Sequence, residues 1–295
     1  KGHVGSIQTP RSGRETKIPH VEDVDPGYAG RRVLVVGGGP AGLSFAVTAA
    51  DLGHEVTLRE REDRLGGQSN IATQVDSRTE FGDAVRNLTN QLKARDVTVE
   101  TGTEVTPETV DPAAWDEVVV ATGARERSPD LGGPDVHRSW DVLQGEAVGD
   151  RVVVLDNNKH SAGVSVAEYL AENDHDVTFV TASFHPGDQM EGTNVPPFLE
   201  TLYEHDVDLE THSTVVGFED GGAQVLNVYS EEVSIHEADS LVVAERREAR
   251  SGLGGALAEA GFEEESIHRI GDCIAPRLID KAIYDGEMLA RELTA

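Results

Sequence analysis

The run Val33-Leu34-Val35-Val36-Gly37-Gly38-Gly39-Pro40-Ala41-Gly42 restricts the folds open to this chain more than any other feature. Four consecutive apolar residues read as a parallel strand buried on both faces. Gly37, Gly39 and Gly42 complete a G-x-G-x-x-G pattern, and Leu43 to Leu52 continues as a helix of small and apolar residues closed by Gly53. His54 to Glu60 is then a second strand ending on an acid, 23 residues after Gly37. Strand, glycine turn, helix, strand and acid in that order open a dinucleotide-binding βαβ unit. Gly37 allows the tight turn, Gly39 lets a pyrophosphate approach the backbone, and Gly42 lets helix and strand pack closely. The first helical turn, entered through Pro40 and Ala41, offers unpaired N–H groups and a positive dipole end to phosphate. Glu60 stands where a carboxylate accepts hydrogen bonds from ribose hydroxyls, which disfavours a 2′-phosphate.

The programme occurs twice. Phe81 to Lys93 has helical spacing, Val97 to Val105 reads as extended, and Trp115 to Val120 is a buried strand running into Ala121-Thr122-Gly123. Arg151 to Leu155 then starts a second strand, Gly163 to Ala171 a helix and Val177 to Val180 a strand. Gly53-His54-Glu55-Val56-Thr57 parallels Asp174-His175-Asp176-Val177-Thr178, and Asp116 to Ala121 parallels Asp239 to Ala244. The expected fold is α/β, with two Rossmann-like dinucleotide-binding domains, the second inserted into the first. The boundaries read as an extended arm over residues 1–30, a first domain from 31–125 and 251–295, and an inserted unit over 126–250. Pro10, Pro19 and Pro26 and the lack of any period mark the arm.

Aligning Arg32 with Arg151 puts Asp156 on Gly37 and Asn158 on Gly39; aligning Val56 with Val177 puts Gly163 on Gly42 and Thr181 near Glu60. Glu245 and Arg246 replace Thr122 and Gly123. A carboxylate in a phosphate cradle is electrostatically wrong. The inserted half is therefore expected to persist as a packing unit without ordinary NAD(P)H binding.

Charge narrows the partners. There are 54 acidic and 25 basic residues, a net charge of -29, and the bases divide into 20 Arg and 5 Lys. Such a field repels nucleic acid and anionic lipid. Acid richness with few lysines suggests a halophilic protein from a salt-rich cytoplasm, where a Debye length of about 3 Å at 1 M salt screens self-repulsion. The melting temperature is expected to rise on going from about 0.1 M to 1 M KCl; a melting temperature indifferent to KCl contradicts this. Lys1-Gly2-His3-Val4 has no apolar signal core and the uncharged run Val33–Ala50 is broken by glycines and a proline, so neither secretion nor membrane insertion is expected. One cysteine, Cys273, excludes a disulfide framework within these residues and reads as a small buried residue in a turn. His205 and His212 lack a third ligand, no metal site is expected, and no catalytic acid, base or nucleophile stands out.

Taken in order, Val33 to Gly42, Glu60, Arg64-Leu65-Gly66-Gly67-Gln68, Ala121-Thr122-Gly123-Ala124 and Ile270-Gly271-Asp272-Cys273-Ile274-Ala275-Pro276-Arg277-Leu278-Ile279 resemble the C-terminal half of one flavoprotein family. It comprises trimethylamine, dimethylamine and histamine dehydrogenases, 2,4-dienoyl-CoA reductase and related NADH:flavin oxidoreductases. The resemblance covers residues 6 to 295 and implies a glutathione-reductase-type fold holding FAD or ADP. It implies that Gly37, Gly39, Pro40, Ala41 and Gly42 hold the pyrophosphate and Glu60 the ribose. Val105 would lie near the adenine. Arg61, Gly67, Gln68, Thr122, Gly123 and Asp272 would complete the pocket, with Asp272 near the ribityl chain if the ligand is FAD. It also implies an FMN barrel and an iron–sulfur cluster outside these residues, an electron-transfer protein as partner, and a homo-oligomer. Ser6 resembles the position of a cluster cysteine, which puts a normal cluster in doubt. The expected function is adenine-nucleotide binding in an oxidoreductase similar to trimethylamine dehydrogenase, its substrate chemistry on the barrel. The alternatives are an NADH-dependent FAD reductase and a non-catalytic ADP-binding docking module.

Overall fold

The computed structural model describes residues 6–25, 27, 29–131, 133–219 and 221–294. Lys1 to Val4 and Pro26, used above, lie outside the described residues. In chain order the first elements are β1 (Arg32–Val36), α1 (Pro40–Asp51), β2 (Glu55–Arg59), α2 (Ser69–Ala72), α3 (Phe81–Lys93), β3 (Val97–Glu100), β4 (Glu117–Val120) and β5 (Ala124–Glu126). There follow β6 (Val136–Arg138), α4 (Ser139–Leu143), β7 (Arg151–Asp156), α5 (Ser161–Glu172), β8 (Asp176–Thr181), α6 (Val195–Glu204) and β9 (Asp208–Thr211). Next are β10 (Ser213–Glu219), β11 (Gly222–Asn227), β12 (Val233–Glu237), β13 (Ser240–Ala244) and β14 (Arg247–Ala249). The chain closes with α7 (Gly252–Glu259), β15 (Ile267–Arg269) and α8 (Ile279–Thr294).

These elements form two compact units. Unit 1 spans Lys1–Asn70, Glu80–Arg125 and Glu248–Ala295; unit 2 spans Ile71–Thr79 and Glu126–Arg247. Unit 1 is built on a parallel sheet of order β15-β4-β1-β2-β3. Its central strand β1 is sealed on both faces: Val33, Leu34 and Val35 have no exposed surface. One face carries α1, α3 and α8 around Phe45, Leu58, Leu88 and Ile283, and the other buries Val36, Val118, Val120 and Leu257. Gly286 brings α8 onto α1: a Cβ there would stand 2.3 Å from the Ala41 carbonyl oxygen. The arm packs on the same unit, with Ile18 buried, Arg14 over the Tyr284 ring at 5.0 Å, and Asn87 donating to Gln8 at 2.7 Å.

Unit 2 repeats the plan with a parallel sheet of order β6-β13-β7-β8-β9 and adds the antiparallel sheet β10-β11-β12. The repeat extends to side chains. Arg32 bonds Asp116 through its main-chain N–H at 2.8 Å and its guanidinium at 2.7 Å; Arg151 bonds Asp239 in the same two ways at 3.0 and 2.8 Å. Each pair bridges the central strand to the start of its neighbour. These bonds hold the Asp239 carboxyl down at about 2.

Unit 2 contains a titratable group in its core. Glu126 is 2% exposed; it accepts from the Ser139 hydroxyl at 2.6 Å, the Trp140 N–H at 2.9 Å and the Glu245 N–H at 3.1 Å. Two of these bonds serve the first turn of α4, which has no cap of its own. Burial outweighs the three bonds and pushes the carboxyl up to about 7. The folded state thus favours the protonated form, and this contribution to stability is lost as pH rises from about 4.5 to 7. Glu126→Gln removes the titration. Its melting temperature relative to wild type is expected to climb between about pH 4.5 and 7 and to level off above that; a flat difference over that range overturns the assignment.

Candidate nucleotide site

The site grows from the carboxyl ends of β1, β2 and β4 in unit 1, the edge on which open parallel sheets bind ligands. The four apolar residues of β1 stop at Gly37, whose φ of +113° is a left-handed conformation open chiefly to glycine. A Cβ on Gly37 would meet the Ala121 carbonyl oxygen at 2.4 Å, so β1 and the end of β4 touch backbone to backbone. At Gly42 a Cβ would stand 2.0 Å from the Gly37 carbonyl oxygen, which sets how closely α1 sits over the turn. At Gly39 a Cβ would meet nothing within 4 Å. Gly39 precedes α1 with no side-chain cap and Pro40 has no N–H, which leaves the Ala41 and Gly42 donors of the first turn without a side-chain partner. Open space above Gly39, bordered by a helix N-terminus, results.

Glu60 closes this space on the β2 side. Its carboxylate is 7% exposed and accepts from the Gly38 N–H at 2.6 Å and the Glu62 N–H at 2.9 Å. It is thereby held rigidly beside the glycine turn. The second glycine loop folds over the same turn: Gly66 donates to the Gly38 carbonyl at 2.8 Å, and a Cβ on Gly67 would lie 3.3 Å from Gly39 Cα. Gln68 leads to the far end. Its amide donates to Asp272 at 3.3 Å and lies 3.2 Å from where a Gly123 Cβ would be. Asp272, 8% exposed, also accepts from the Arg277 N–H at 2.8 Å. Thr122 donates its hydroxyl to the Arg250 carbonyl at 2.8 Å, and Gly123 has φ +71°.

The structure therefore gathers Gly37, Gly39, Pro40, Ala41, Gly42, Glu60, Gly67, Gln68, Thr122, Gly123 and Asp272 along one edge of one unit. Two expected residues depart from this line. The Arg61 side chain is half exposed and pairs with Glu62 at 3.0 Å. Val105 is not on a strand: β3 ends at Glu100, and Gly102 at φ +64° turns the chain so that Gly102 and Thr103 donate to the Glu62 and Glu60 carbonyls. The Val105 side chain is buried with Leu34, Val36 and Val118, so only its main chain remains for a ligand. Sequence reasoning had not assigned Gly38, the donor that orients Glu60, or Gly271, whose φ of +68° and missing Cβ (2.8 Å from that of Ala41) bring Asp272 against α1. Each was flagged only by being a glycine beside a motif residue.

Cys273 is fully buried, and its thiol donates to the Val120 and Ile270 carbonyls at 3.1 Å each; burial pushes its pKa up. The Ser6 hydroxyl accepts from the Gln8 and Thr9 N–H groups, both at 3.2 Å. A lone buried thiol and a serine engaged in a turn do not form the thiolate set of an iron–sulfur cluster. Among the described residues no cluster of His, Cys, Asp and Glu could hold a metal ion, and no helix is long and apolar enough to cross a membrane.

Residues 31–286 match the family model described as pyridine nucleotide-disulphide oxidoreductase. The N,N-dimethylglycine/sarcosine dehydrogenase of Chromohalobacter salexigens is 32% identical over 89% of this chain and 44% of its own length. Among solved structures, 2-naphthoyl-CoA reductase superposes with a TM-score of 0.88 at 27% identity, over 98% of this chain and 43% of that one. Histamine dehydrogenase from Rhizobium sp. 4-9 gives 0.88 at 26%, over 97% and 48%. The chain spans about half the length of each. It belongs to the pyridine nucleotide-disulphide oxidoreductase family and corresponds to the C-terminal, nucleotide-binding half of relatives that include amine dehydrogenases and 2-naphthoyl-CoA reductase.

Proposed function

We propose that unit 1 holds the ADP portion of FAD, or ADP itself, within a flavin-dependent oxidoreductase similar to trimethylamine dehydrogenase. The observation that supports this most is the pairing of an open turn at Gly39 with a Glu60 carboxylate fixed by the Gly38 N–H. The pyrophosphate would face the Ala41 and Gly42 donors, the ribose Glu60, and the adenine the main chain near Val105. If the ligand is FAD, its ribityl chain runs toward Gln68 and Asp272, and the flavin supplies two-electron redox chemistry; ADP supplies none. Substrate oxidation belongs to an FMN-bearing barrel outside these residues. An electron-transfer protein is the expected acceptor, and the assembly is a homo-oligomer in a salt-rich cytoplasm. The residues here do not match a normal iron–sulfur cluster. Calorimetric titration of nucleotide-stripped protein in high salt tests the site. ADP and FAD are expected to bind at one site per chain, and 2′-phospho-ADP more weakly because its phosphate meets Glu60. Equal affinity for ADP and its 2′-phosphate contradicts the placement of the ribose.

A further inference from the structure

The family description names a pyridine nucleotide, and unit 2, the repeat of the nucleotide-binding plan, is where the fold would hold it. Its turn does not fit one. We infer that unit 2 carries its own anion, the Asp156 carboxylate, where a dinucleotide's pyrophosphate would lie, and that unit 2 takes no NADH or NADPH.

The packing of α5 on its strand carries the argument. In unit 1 the missing Cβ of Gly42 admits the Gly37 carbonyl oxygen. In unit 2 the missing Cβ of Gly163 admits the Asp156 side chain instead: a Cβ there would stand 2.7 Å from Asp156 Cβ, Cγ and Oδ1. The carboxylate is thus wedged against the first turn of α5, 1% exposed. Around it the turn bonds to itself. Lys159 N–H donates to Asp156 Oδ1 at 2.9 Å. His160 N–H donates to the Asn158 side chain at 3.3 Å, and Asn157 N–H to the Ala244 carbonyl at 3.0 Å. The loop amides of Asn157, Lys159 and His160 are spent on the chain's own oxygens, and the first turn of α5, which has no side-chain cap, has the Asp156 carboxylate wedged against it. Lys159, at φ +62°, takes the left-handed conformation this closure requires.

The flanking positions are closed as well. Glu245, in the place of Thr122, accepts from the Asn157 amide at 2.6 Å. Thr181, in the place of Glu60, is fully buried, and its hydroxyl accepts from the Ser183 N–H at 3.2 Å. A pyrophosphate would have to displace these bonds and bring its charge against a buried carboxylate of the same sign, where screening is weak. The inference concerns unit 2 alone and stands or falls independently of the nucleotide in unit 1.

The test uses the full chain in high salt with saturating ADP, so that unit 1 is occupied. NADH and NADPH are titrated by fluorescence to about 1 mM. No saturable change is expected with either. Saturable binding at or below that concentration overturns the inference. In parallel, hydrogen exchange is followed at the amides of Asn157, Lys159 and His160. Without ligand these are expected to exchange at least about 100-fold slower than in an open chain, and Asp156→Ala is expected to release Lys159. Free exchange of these amides in the wild type overturns the self-closed turn, and that measurement does not depend on any variant folding.

Discussion

Replacing Gly42 by alanine is expected to abolish nucleotide binding to unit 1 and to lower the melting temperature by roughly 6–12 °C. The added methyl would sit 2.0 Å from the Gly37 carbonyl oxygen and 3.2 Å from its carbon, both main-chain atoms at the end of a strand buried from Val33 to Val36. No side chain can rotate away, so α1 must lift from β1. Overpacking of this kind costs about 3 kcal/mol at the upper end of its usual range. The same displacement carries the Ala41 and Gly42 donors away from the cradle. Gly39→Ala separates the two effects. Its Cβ meets nothing within 4 Å and its φ of -77° suits any residue, so the melting temperature should hold while affinity falls. Thermal unfolding and ADP titration of both variants check this. If Gly39→Ala binds ADP as wild type does, the pyrophosphate does not lie over that turn.

Glu60→Ala is expected to weaken ADP binding by about 10- to 100-fold, because hydrogen bonds to a charged group contribute roughly 1.5–3 kcal/mol. It removes the carboxylate from the ribose position. It also strips the Gly38 and Glu62 N–H groups of their acceptor, so the glycine turn loses the contact that orients it. The loss should exceed that for Arg61→Ala, whose guanidinium points to solvent and pairs with Glu62. Comparable losses in the two variants would mean that Glu60 does not face the ligand.

Legibility from sequence followed burial. β1 and β4 are sealed on both faces and stand out as apolar runs; α3 falls on Phe81–Lys93 because Phe81, Val85, Leu88 and Leu92 mark one face. The repeat was readable because Asp116 to Ala121 recurs as Asp239 to Ala244 and Gly53 to Thr57 as Asp174 to Thr178; the structure adds that Arg32 with Asp116 and Arg151 with Asp239 perform the same bridging. The β10-β11-β12 sheet was not readable. In β12 four of five residues are exposed, Val233 and Ile235 among them, so no alternation between core and solvent marks the strand. The attachment of Ile71–Thr79 to unit 2 was hidden for another reason. It depends on Val75 packing among Val152, Val164 and Leu202 and on Arg78 lying 4.3 Å from the Phe198 ring, contacts between residues far apart in sequence. At the site the residue types could be read, whereas the bonds could not. The partners of Asp272, Gln68 and Arg277, show how its carboxylate is aimed. Asp156 announced a charge conflict, but the closure of its turn is a matter of geometry.

The most direct measurement is the visible spectrum of the purified protein in high salt, followed by denaturation and mass identification of what it releases. One equivalent of an adenine nucleotide per chain is predicted: FAD with a yellow colour, or ADP without colour. Release of no adenine nucleotide, together with no uptake of ADP or FAD by the native protein, would contradict the reading of unit 1 as a nucleotide site.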